Sequence, residues 1–127
     1  MELWWPDPFE RYLNDLEAKA DRGDERSEQI LTYIYAAMAT LRDLPAQPRE
    51  DSQSLKRVRQ SGRYTVWRVS HPYVEGLAVR VICWFPPEES TVVIALFSGE
   101  KANMGDVFYD SVAQRADHII DIWCQEE

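Results

Sequence analysis

The sequence predicts a small single α+β domain over residues 1–127: two N-terminal helices, a three- to four-stranded antiparallel sheet and a C-terminal helix. Three observations carry that expectation. Apolar residues recur at helical spacing between Phe9 and Leu41, runs of β-branched and aromatic residues follow between Gly62 and Phe97, and helical spacing returns after Asp106. A chain of 127 residues is long enough to bury one core, and five tryptophans argue against disorder.

The elements follow in order. "ELWW" reads as a short edge strand. In "PDPFERYLNDLEAKA", Phe9, Tyr12, Leu13, Leu16 and Ala20 share one helical face, and Pro8 suits a first turn. "DRGDE" interrupts the pattern. A second helix starts near Asp24 or Ser27 and carries Ile30, Leu31, Ile34, Met38 and Leu41 on one stripe until Pro45 and Pro48 end it. "PAQPREDSQS" is a polar connection. "GRYTVWRVS", "LAVRVICWF" and "TVVIALF" read as strands, the last as the most buried because it is continuously apolar. The short loops "HPYVEG" and "PPEES" favour antiparallel neighbours. After the loop "SGEKANMGD", Asp106 can cap a last helix with Val112, Ala116, Ile119, Ile120 and Trp123 on one face. The helices are expected to pack on one face of the sheet.

Charge is distributed unevenly. Residues 1–54 carry a net −6, residues 85–127 a net −7, and residues 55–84 between them a net +5, in a chain of formal net charge −8. The basic residues of the middle segment are Lys56, Arg57, Arg59, Arg63, Arg68 and Arg80. Overall acidity disfavours nonspecific coating of nucleic acid, whereas a local basic block can hold one phosphate track or one acidic partner. Pairing with acids of the flanking helices is the plainer use of such charge. The opening has neither the basic start nor the apolar run of a signal peptide, and no run approaches the length of a membrane span. Cys83 and Cys124 match no metal spacing and read as reduced thiols of a cytoplasmic protein.

Strand alternation places Tyr64, Val66 and Arg68 on one face, and Arg80 on one face with Ala78, Ile82 and Trp84. Guanidinium groups are rarely buried without a partner. The face carrying Arg68 and Arg80 is therefore expected to be open, bordered by Lys56, Arg57, Arg59 and Arg63. Aromatics beside arginines on such a face offer stacking for bases and forks for phosphates. No phosphate-cradling glycine loop, Gly-x-Ser-x-Gly elbow or His-Glu-x-x-His occurs. His71, in "SHPYVEG", is either an acid–base group or a solvated turn residue. Asp117, His118 and Asp121 read as a solvated helix face rather than a metal site.

"LKRVRQSGRYTVWRV", then "LAVRVICWF" with its central Arg, then an apolar strand running into "FSGEKANMGDVFYDSVAQRAD", resembles the RelE/ParE superfamily of type II toxin–antitoxin toxins, nearest its HigB-like branch. "ELWWPDPFERYL" resembles the family's opening strand and first helix. The resemblance implies a metal-independent, ribosome-dependent mRNA endoribonuclease in the cytoplasm, with no small-molecule cofactor, neutralised by a cognate antitoxin protein. It implies that Arg80 grips the scissile phosphate, that Arg68 flanks it, and that Lys101 belongs to a basic loop. Tyr109 would stack on a base or assist proton transfer, and a His such as His71 can share that task. Lys56, Arg57 and Arg59 would hold the RNA backbone, with Arg63 beside them. Positioning a 2′-hydroxyl in line and stabilising charge are the two large catalytic terms open to such a site. A non-catalytic protein-binding toxin or phage modulator on the same fold, such as a gyrase inhibitor of the ParE kind, is the alternative. The negative net charge and the single Lys of "GEKANMG" favour it.

Overall fold

The computed structural model describes residues 1–69, 76–100 and 106–126, without the side chains of residues 100 and 106–110. Its elements are β1 (Glu2–Trp4), α1 (Asp7–Asp21), α2 (Glu25–Arg42), β2 (Leu55–Arg57), β3 (Trp67–Val69), β4 (Val79–Trp84), β5 (Val92–Glu100) and α3 (Asp106–Glu126). This is the expected α+β domain of two N-terminal helices, a sheet and a C-terminal helix. The sheet has five strands in the order β1-β5-β4-β3-β2. β2 to β5 form an antiparallel meander, while β1 lies parallel to β5 with Leu3 opposite Val93. The sheet is therefore mixed and larger than three or four strands.

Local chemistry explains the helices. Prolines stand at the start of α1, where their missing N–H groups cost nothing. Gly23 takes φ 92° between α1 and α2, a left-handed conformation that glycine adopts without strain. Asp24 caps α2, accepting from Arg26 N at 3.3 Å and from the Ser27 hydroxyl at 2.7 Å. Those two hydrogen bonds, the Ser27 hydroxyl first, hold the Asp24 carboxyl below its usual range.

Both faces of the sheet are covered, not one. Phe9, Leu13 and Leu16 of α1 and Ile30, Ile34, Met38 and Leu41 of α2 pack on Leu55, Trp67, Val69, Val79, Val81, Cys83, Val93 and Ala95. Val112, Ala116 and Ile120 of α3 pack on the other side, against Val58, Val66, Ile82, Trp84, Ile94, Leu96 and Phe97. β4 and β5 lie at the centre between these layers, which is why "TVVIALF" of β5 reads as continuously apolar. No described helix is long and apolar enough to cross a membrane.

Within "GRYTVWRVS" the described strand begins only at Trp67, because earlier backbone donors are taken by side chains. Arg63 N and Tyr64 N donate to the Asp117 carboxylate of α3 at 3.0 and 3.4 Å, and Val66 N donates to Ser61 Oγ at 3.2 Å. With those donors satisfied by α3 and by the turn, ladder pairing begins at Trp67.

Candidate functional site

The α3-side face of the sheet is where the basic residues converge. Lys56 stands directly opposite Arg68, and Arg68 opposite Ile82, which in turn faces Phe97. These four residues form one row across β2, β3, β4 and β5, about 14 Å long at the usual strand spacing. Arg80 lies two residues before Ile82 on the same face. At the far end of the row, the Arg115 guanidinium of α3 sits 4.1 Å from the centre of the Phe97 ring. Burial of its guanidinium lowers the Arg115 pKa. Arg115 has no part in the sequence reading, because its place over Phe97 follows from α3 crossing the sheet.

Like charges directly across a strand pair destabilise it. The Lys56–Arg68 pair opens into a cleft of about 720 Å³ that Arg57, Arg59, Ser52 and Gln60 also line. β2 is an edge strand, so one side of the cleft is free of neighbouring sheet. The cleft has one acid. Asp51 accepts from Arg57 N at 3.0 Å and lies 3.6 Å from its guanidinium, bonds that hold the Asp51 carboxyl below its usual range. Arg57 also stands over the Trp67 ring, 5.4 Å from its centre. Asp51 was legible only as loop polarity. Its place beside Arg57 depends on the turn in which Ser52 N donates to Leu55 O at 2.8 Å.

Arg63 does not join this group. It is engaged with Asp117 at 3.7 Å and with Asp121 at closer range, on α3. Tyr64 donates its hydroxyl to Asp121 at 2.7 Å, packs edge-on against Trp84 at 5.6 Å, and has the Arg63 guanidinium over its ring. The acids of "RADHIID" thus serve as the clamp of the β2–β3 turn rather than as a solvated face. For Arg63, pairing with a flanking helix holds.

Arg80 is half-buried rather than displayed on an open face, and its charge is felt by Tyr33 of α2. Its guanidinium folds back, Nη1 donating to Val79 O at 2.9 Å, just past the end of β3. Its Nε is buried, as is the Tyr33 hydroxyl of α2, and neither has a hydrogen-bond partner among the described residues. Burial raises the Tyr33 pKa, opposed by the positive charge of Arg80. Arg68 is half-buried in the row. His71 and Lys101 lie outside the described residues, and Tyr109 falls in the first turns of α3 with its side chain outside the description. Lys56, Arg57, Arg59 and Arg68 are the site residues brought together at the cleft, with Arg80 adjacent on β4.

The chain matches no protein-family model, no curated protein and no solved structure.

Proposed function

We propose that the basic cleft along β2 and β3 holds an RNA backbone, and that the protein is an mRNA-cleaving toxin of a toxin–antitoxin pair acting on the ribosome. The observation that carries this reading is the Lys56–Arg68 pair, two cations placed face to face at the mouth of a cleft in an otherwise acidic molecule. Two such cations can each give a charge-assisted hydrogen bond to one phosphate group. In this reading Arg68 and Arg80 stabilise charge on the scissile phosphate, and Lys56, Arg57 and Arg59 position the strand. The cognate antitoxin would occupy or block the same cleft. The net charge of −8 supports a second reading, a non-catalytic toxin whose cleft takes an acidic protein segment instead.

The test is induced expression in a bacterial host of wild type, Arg68→Ala and Arg80→Ala, with mRNA 5′ ends mapped. New in-frame ends that disappear in both variants are expected. Arg80→Ala should stay folded and cost about 1–3 kcal/mol, the range for losing its charged Nη1 bond to Val79 O. Growth arrest with intact mRNA would replace this reading with the second. Absence of arrest from folded protein would remove both.

A further inference from the structure

We infer that a second surface, at the opposite pole of charge, docks a basic segment with apolar anchors supplied by another protein. It lies where the start of α1 meets the last turns of α3. Two clefts of about 290 and 240 Å³ adjoin there and share Trp123 as a common wall. The first runs between Trp5, Ile119 and Ile122; the second lies under Trp84. Trp4 extends the surface to the sheet edge, its ring 6.4 Å from that of Trp123. Three large apolar side chains of the described chain stand out in solvent, and two of them, Trp4 at 47% and Ile122 at 42% exposed, are here. A contiguous apolar surface of this kind marks an interaction site. Pro6 and Pro8 wall one cleft and Pro86 and Pro87 the other, so the walls are stiff before anything binds.

Charge selects the occupant. Asp7 and Glu126 rim the first cleft and Glu88 and Glu89 the second, against Arg11 alone, and none of these acids is in an ion pair among the described residues. The last turn of α3 holds no basic residue, whereas α1 and α2 end on Lys19 and Arg42. Among the described residues no basic side chain of that last turn offsets the negative end of the α3 dipole, and Glu126 adds to it. A second copy fits poorly, since a two-fold contact on this patch would set acidic rim against acidic rim. An anionic bilayer is disfavoured for the same reason. A partner segment pairing Leu- or aromatic-type anchors with Lys or Arg satisfies both the apolar walls and the rim.

The experiment uses the full chain and a labelled amphipathic peptide of leucine and lysine, followed by fluorescence anisotropy. Two peptides serve as comparisons: one with serine for leucine at equal charge, and one with glutamate for lysine. Both should bind at least about tenfold more weakly. Ile122→Ser, at an exposed position that folding tolerates, should weaken the leucine–lysine peptide about tenfold. Tyr35→Ala, which removes an equally exposed ring away from the clefts, should not. Equal binding of the serine peptide, no binding of the leucine–lysine peptide, or indifference to Ile122→Ser would each overturn the inference. So would a concentration-dependent dimer abolished by Ile122→Ser, which would give the groove to a second copy.

Discussion

Asp121 serves two groups with one carboxylate, taking a charged hydrogen bond from Arg63 and a hydroxyl from Tyr64. The Arg63 bond first, then that of Tyr64, hold its pKa below the ordinary carboxylate range. A carboxyl with a depressed folded pKa contributes stability that is complete above the unfolded value and is lost as pH falls through the folded one. The window therefore lies below about pH 3.9, the unperturbed Asp value. Asp121→Asn should lower the thermal midpoint at neutral pH. The difference from wild type should close as pH falls through the lowered folded value, below which Asp121 itself is neutral. A gap that persists at low pH would mean that shape and not charge is what Asp121 supplies.

The β2–β3 turn is fastened to α3 by a close approach that only glycine permits. A Cβ on Gly62 would lie 2.9 Å from Asp117 Cγ and closer still to one carboxylate oxygen. Its φ is not positive, so space rather than backbone strain fixes the residue. Gly62→Ala must push the Asp117 carboxylate off Arg63 N and Tyr64 N, and should cost about 1–3 kcal/mol in denaturant unfolding. Asp117→Asn keeps only one of the two oxygens that accept from Arg63 N and Tyr64 N, and should cost a similar amount. An unchanged midpoint in Gly62→Ala would show the turn free of α3. The same contacts set the limit of what the sequence discloses about elements. Helix periodicity placed α1, α2 and α3, β-branched and aromatic content placed β4, and continuous apolarity placed β5, since those signals are local. "LKR" gave no strand signal because one buried residue among charges has no period, and β2 exists only by pairing with β3. Conversely, "GRYTVWRVS" carried strand propensity over nine residues but its described strand is Trp67–Val69, with Arg63 N, Tyr64 N and Val66 N drawn to Asp117 and Ser61.

Across the whole molecule, charge and layering decide what each basic residue can do. The basic block was visible in composition, and its gathering at one cleft follows from β2 pairing with β3. That α3 closes over the sheet was not visible, because an amphipathic helix shows that it buries a stripe without showing which face of the sheet receives it. For that reason Arg80 and Arg63 were expected on an open face, where one is half-buried and the other clamped. The three-layer arrangement also has a direct chemical readout. Cys83 lies on β4 between β3 and β5, fully enclosed under α1 and α2, while Cys124 is exposed near the end of α3. Burial pushes the Cys83 thiol far above its usual range, so the reactive thiolate is suppressed as well as inaccessible. A thiol reagent should therefore label Cys124 quickly in the native protein and reach Cys83 only after unfolding. Labelling of Cys83 across a denaturant series should follow the loss of circular dichroism in one transition, because β4 cannot open without releasing both cores. Prompt native labelling of both cysteines, read by intact mass, would mean that the layer of α1 and α2 lifts from the sheet independently of α3.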